Sequence, residues 1–243
     1  MGKHINRVGE NHTTNEGFKL KIIYWKNCES CTIQFEDGTV LENINYFSIL
    51  KGHVKNPNHK SIYGVAKIGV GKYNSKNSKE SFKRWKGILT RGYCKTYKER
   101  QPTYKDVTVC EEWHNFQNFA QWFEENYKSH MEGWHIDKDI LVKGNKIYSP
   151  ETCCFVPREI NNMITKTEKE IHVFKKDGKY YPQVSLKKKN KNLKPVNSKK
   201  EAVDLIIEVK KEYMSNILNK YLTQIEPKVL EKLKIIIEKY TRF

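Results

Sequence analysis

Apolar residues change their spacing from one part of this chain to the next, and that change constrains the fold more than any other feature. Within 1–74 they come in short runs, LKIIYW, CTIQF, TVLENINYF and SIYGVAKIGV, separated by EDGT, KGHVKNPN and GVGK. Turn-forming clusters between β-rich runs predict a small β module or a curled sheet. Thr32-Ile33-Gln34-Phe35 alternates just ahead of Glu36-Asp37-Gly38, which predicts a hairpin. Within 75–165 helical spacing takes over. Phe82, Trp85, Ile88 and Leu89 open one helix, and a short strand follows at Val107-Thr108-Val109. Trp113, Phe116, Phe119, Ala120 and Phe123 then form a one-sided aromatic stripe, which predicts core rather than a surface for stacking bases. Within 166–243, IHVFKK, KYYPQVSLKKK and KPV predict strands, with Asp177-Gly178 turning between the first two. Ser198-Lys199-Lys200-Glu201 is a capping box. It opens a helix with Ala202, Leu205, Ile206, Val209, Tyr213, Ile217 and Leu218 on one face, and Pro227 starts another. The expected class is α+β: a β-rich module, an α+β middle, and a three-stranded sheet with helices.

Charge bears on partners. The chain carries 45 Lys and Arg against 28 Asp and Glu, a formal net charge of +17. An excess of that size points first to nucleic acid, because each Lys or Arg that neutralises a phosphate releases a counterion. No stretch approaches ~18 apolar residues, so no membrane span is expected. The start, MGKHINRVGENHTTNEG, lacks the apolar core of a secretory signal, and an intracellular setting is expected. Cys28-Glu-Ser-Cys31 has zinc-knuckle spacing but no suitable second pair, since Cys153 and Cys154 are adjacent. Cys94 and Cys110 sit among apolar and aromatic neighbours and suit core thiols.

One stretch carries candidate chemistry: WHIDKDILVKGNKIYSPETCCFVPREIN, residues 134–161. On a strand, His135, Asp137 and Asp139 would share a face. A histidine and two carboxylates so placed could hold Mg²⁺ or Mn²⁺ and activate water. The alternative is that the aspartates pair with nearby lysines in a structural hairpin, leading into a short helix near Pro157-Arg158-Glu159-Ile160.

Trp85, Arg91-Gly92-Tyr93-Cys94, Tyr104 to Trp113, Phe116-Gln117-Asn118-Phe119, Ile136 to Asp139 and Asn145 to Cys153 together resemble phage-encoded HNH-type proteins of the homing-endonuclease kind. Such proteins couple a ββα-metal nuclease-like module to DNA-binding domains. Gly178 to Leu186 and Ser198 to Ala202 resemble an Apetala-type DNA-binding domain, three strands backed by a helix. Residues 14–17, 35–38 and 63–69 resemble an N-terminal module found with these proteins. The resemblance implies three parts, 1–74, 75–165 and 166–243. It implies Asp137 as the metal-binding aspartate, Asn161 or Asn162 as a second ligand on the helix, and Lys138 at the catalytic position, while the strand face adds Asp139 as a candidate ligand and His135 as a candidate base.

Lys138 stands where an HNH site has histidine. An ammonium with an ordinary pKa near 10.4 holds its proton at neutral pH and is a poor general base. The expected function is therefore sequence-directed binding of duplex DNA by a module with weak or no nuclease activity. Arg84, Arg91, Asn145, Tyr148, Tyr180, Lys187, Lys188, Lys189 and Lys191 are the candidate DNA contacts. Two alternatives stay open: an active metal-dependent nicking endonuclease, and a phage protein that blocks a host nucleic-acid machine or defence nuclease.

Overall fold

A computed structural model describes residues 6–165, 171–186 and 189–240 of the chain. The fold is α+β, and it divides into two compact units. One comprises 1–105 and 109–121, the other 106–108 and 122–243. Of the expected parts, the first lies within the first unit, the third within the second, and the middle one contributes to both.

The first unit opens with an antiparallel meander of β1 (Asn11–Thr13), β2 (Lys19–Asn27), β3 (Ser30–Phe35) and β4 (Val40–Ile44). Alternation does what the sequence predicts: Leu20, Ile22, Cys31, Ile33 and Phe35 point to one side. There they are buried with Ile49 and Tyr46 of α1 (Tyr46–Leu50) and with Val54. The Asp37-Gly38 turn joins β3 to β4. Asp37 Oδ1 accepts the Thr39 amide at 2.9 Å, and Oδ2 accepts from Asn56 Nδ2 at 2.8 Å. These bonds, the Asn56 one foremost, hold the Asp37 carboxyl below the usual carboxylate range. SIYGVAKIGV does not become a strand: it makes only isolated bridges, between Ile62 and Ala66 and between Lys67 and Asn115. Gly64 and Gly69 take positive φ there, and so does Tyr63, which breaks an extended run.

Helix α2 (Lys79–Tyr93) and the short α3 (Lys95–Arg100) follow. Trp85, Ile88 and Leu89 are fully buried, and the Trp85 indole donates to the Trp113 carbonyl at 2.6 Å. The Trp85 ring lies 5.1 Å from that of Phe116. After β5 (Thr108–Val109), α4 (Phe116–Asn126) carries the rest of the aromatic stripe. All five stripe residues are buried, as expected of core.

In the second unit β6 (His135–Asp137) pairs antiparallel with β8 (Cys154–Val156), and β7 (Ile147–Tyr148) lies in the long loop between them. Helix α5 (Arg158–Thr165) follows β8 directly. Then β9 (Ile171–Lys176), β10 (Lys179–Leu186) and β11 (Lys189–Asn192) form an antiparallel sheet in the order β11-β10-β9. Helix α6 (Lys199–Asn219) packs on β10 and β9, and α7 (Pro227–Glu238) packs on α6. Both turn residues between β9 and β10, Asp177 and Gly178, have positive φ, as a tight hairpin demands. Ser198 and Glu201 exchange the two capping-box bonds at 3.1 Å. Along α6, Ala202, Ile206, Ile217 and Leu218 are buried, joined by Val203 and Met214, while Leu205, Val209 and Tyr213 are half-buried. The third strand is not KPV. It is Lys189–Asn192, and Val196 only bridges to Tyr180. Polar β11 is an edge strand with all four residues exposed, and an edge tolerates lysine where a sheet centre does not.

No helix among the described residues is long and apolar enough to cross a membrane.

Candidate nucleic-acid interface

The 134–161 stretch forms β6, a loop, β8 and α5, so a ββα arrangement is present. Its polar side chains are used inside the arrangement. Asp137 ends β6 and its Oδ1 accepts the amides of Asp139 at 2.7 Å and Ile140 at 2.9 Å, closing an Asx turn. Burial pushes the Asp137 carboxyl above its ordinary range, and those two amides only partly offset it. The Lys138 side chain turns inward and is 6% exposed. Its ammonium donates to both Asp139 oxygens at 2.7 and 2.8 Å and to the Asn145 carbonyl at 2.6 Å. Asn145 closes the loop from the other side: its Nδ2 donates to the carbonyls of Lys138 and Ile147, and its Oδ1 accepts the Ile147 amide. Tyr148 is 3% exposed, its ring centroid 6.0 Å from the Lys138 ammonium. His135 Nδ1 lies 3.0 Å from Asn161 Nδ2 of α5.

These bonds place the candidate residues differently from their expected roles. His135, Asp137 and Asp139 do not share a face, because β6 ends at Asp137 and Asp139 turns to Lys138. No group of three or more His, Cys, Asp or Glu able to hold a metal ion occurs among the described residues. The candidate ligands have other partners: Asp137 Oδ1 holds two amides, Asp139 an ammonium, and the Asn161 side-chain nitrogen lies against the His135 ring. Lys138, Asn145 and Tyr148 are loop-closing groups with little surface to offer a phosphate.

The β9–β11 sheet is different. Directly opposed residues of an antiparallel pair share a face. Val184 is fully buried, so Val184 and Pro182 mark the side that α6 covers. Tyr181 pairs with Phe174, Gln183 with His172 and Asn192, Ser185 with Asn190, and Lys179 with Lys176. These nine residues lie on the opposite, open face. Phe174 is 57% exposed and Tyr181 36%. Gln183 Nε2 donates to Asn192 Oδ1 at 2.7 Å, which ties two of the amides into one row across the strands.

The register also sorts the basic and tyrosine candidates. Tyr180 is on the α6 side, half-buried, with the Lys175 ammonium 5.5 Å from its ring centroid. Lys189 opposes Leu186 and Lys191 opposes Val184, so both extend from the α6 side at the uncovered edge. Lys187 and Lys188 lie outside the described residues. Arg84 and Arg91 belong to α2 of the first unit. Arg84 Nε donates to Glu80 at 2.8 Å, and the Arg91 guanidinium lies 5.9 Å from the Tyr104 ring centroid. Phe174, His172 and Gln183 are not among the residues the sequence singles out as DNA contacts. The signal was available in the alternation of KYYPQVSL, where Tyr181 and Gln183 fall opposite Pro182 and Val184.

All six cysteines are free thiols. Cys31 is buried and donates to the Ile44 carbonyl at 3.0 Å, so the Cys28–Cys31 spacing serves the first sheet.

The chain was compared with models of protein families, with curated proteins and with solved structures, and none of them matches it.

Proposed function

We propose that this protein binds duplex DNA through the open face of the β9–β11 sheet, with the β6–β8–α5 hairpin as a structural support and not a nuclease centre. The observation that carries this is the composition of that face. Two aromatic residues oppose each other across β9 and β10, two amides are bonded across the strands, and Lys176 and Lys179 stand at one end. Amide side chains offer paired donors and acceptors that suit the major-groove edge of adenine. Aromatic carbon meets thymine methyls or sugars, and lysines fix register on phosphates. The excess of positive charge supplies sequence-independent attraction. Acting on DNA inside a cell, in the manner of a phage-encoded protein, fits this reading.

The test is binding of labelled duplexes by the full chain and by Tyr181→Ala, Phe174→Ala and Gln183→Ala. Phe174 and Tyr181 are exposed and Gln183 is half-buried, so the variants should melt within about 1 kcal/mol of the parent. Each should lose about 1–3 kcal/mol of discrimination between a selected and a scrambled duplex. Folded variants with unchanged discrimination would sink the proposal.

A further inference from the structure

The charge of this protein is not spread evenly. Residues 72–105 hold eleven Lys or Arg against two Glu, so nine of the seventeen net positive charges fall in one-seventh of the chain. Helix α2 runs through this segment. Its inner side is Ser81, Trp85, Ile88, Leu89 and Gly92, all buried, and the Trp85–Trp113 bond fixes its rotation. Lys79, Lys83 and Lys86 lie one helical turn or so apart on the outer side, and all three are exposed. Among the described residues none of the three is paired with a carboxylate. The helix's own acidic group, Glu80, is taken by Arg84.

Helix stability does not account for this arrangement. Cations in the first turns oppose the helix macrodipole, and Lys79 and Lys83 repel each other at i, i+4. A polyanion lying along the stripe would reverse both penalties. Lys79 and Lys86 are separated by about 10 Å along the axis at 1.5 Å per residue. A duplex presents a phosphate about every 3.4 Å along each strand, so each ammonium has a phosphate within its reach. Next on the same side come Gly87, where an added Cβ would meet nothing within 4 Å, and Thr90, whose hydroxyl lies 3.0 Å from that of Tyr63. The stripe is therefore exposed at its three lysines and ends beside two hydroxyls.

We infer that the outer face of α2, through Lys79, Lys83 and Lys86, is a second DNA-contacting surface that grips the phosphate backbone without regard to sequence. This rests on the DNA-binding reading above and adds a contact in the other unit of the chain. The sheet supplies discrimination, and α2 supplies salt-sensitive affinity.

The experiment compares the full chain, the triple variant Lys79→Gln, Lys83→Gln, Lys86→Gln, and the triple Lys→Arg variant at the same positions. Binding to a random-sequence duplex is followed by fluorescence anisotropy across a salt series. The Gln variant should flatten the slope of log K against log salt by about 2–3 and weaken low-salt binding roughly ten- to hundredfold. The Arg variant should restore the slope, and the Gln variant should keep its discrimination between selected and scrambled duplexes. A Gln variant that melts like the parent and keeps the parent's slope overturns the inference and leaves the sheet proposal standing. A parent chain that binds no duplex at low salt overturns both.

Discussion

Lys138→Met separates the two roles open to this residue. If its ammonium faced a phosphate, the substitution would weaken DNA binding and leave stability alone. The geometry assigns the opposite. The ammonium is enclosed and bonded to the Asn145 carbonyl at 2.6 Å and to the Asp139 carboxylate at 2.7 Å. Methionine fills similar volume but removes every donor. The Asn145 carbonyl then loses a charge-assisted bond, at a cost of about 1.5–3 kcal/mol. The Asp139 side chain is 52% exposed and can return to water, so losing the ion pair adds less than about 1 kcal/mol. Against this, the lysine no longer has to be desolvated. The net loss should be about 2 kcal/mol, or roughly 4–8 °C in melting temperature for a chain of this size. Thermal melts followed by circular dichroism and by tryptophan fluorescence would read it, Trp134 being buried beside β6. DNA affinity and its salt slope should not change below the melting transition. A variant with the parent's melting temperature but weaker, less salt-dependent binding would refute the reasoning.

Asp137→Asn and Asp137→Ala should diverge. Asn keeps an acceptor for the Asp139 and Ile140 amides, whereas Ala leaves both without it and should lose about 1–2 kcal/mol in urea melts. Because burial raises the folded carboxyl above its unfolded value, the folded chain binds the extra proton. Its contribution is complete below the ordinary carboxyl range and is lost as pH rises through the folded value. The advantage of Asn over Asp should therefore grow from pH 4 upward, and an advantage that shrinks would contradict the assigned burial. Supercoiled plasmid should stay uncut with Mg²⁺ or Mn²⁺. Nicking that disappears on His135→Ala or Asp137→Ala would instead reinstate a working site. Ser198→Ala removes a capping bond to Glu201 and should cost about 1 kcal/mol, read as a lower melting temperature with unchanged DNA discrimination.

Where one element's pattern decides structure, the sequence was legible. Trp113, Phe116, Phe119, Ala120 and Phe123 are core because a stripe at helical spacing has only one way to hide. Asp37-Gly38, Asp177-Gly178 and Ser198–Glu201 are legible for the same reason, since turn and cap chemistry act over a few residues. What failed depended on partners distant in sequence or on an edge. Polar KNKN became β11 because β10 offered it a free side, which no propensity of lysine or asparagine announces. The hairpin's identity was visible in the 134–161 stretch, but not the direction of Lys138, which depends on Asn145 seven residues on. Tyr180 and Tyr181 are adjacent, and only the burial of Val184 tells which of them faces outward.

The two surfaces proposed for DNA and the hairpin differ in whether their bonding capacity is already used. Lys138 and Lys83 are the same residue type with opposite fates. The first satisfies a carboxylate and a carbonyl within eight residues of chain, and its charge is cancelled before any ligand arrives. The second stands on a rigid helix with no carboxylate paired to it among the described residues, beside the like charges of Lys79 and Lys86. A net charge of +17 says nothing about which lysines are of which kind. Burial and partners do, and they assign each kind its own observable: enclosed lysines move the melting temperature, and open ones move the salt slope. A substitution series that crossed these assignments, with Lys138 moving the salt slope and Lys83 the melting temperature, would mean that bonding geometry is the wrong guide to function in this protein.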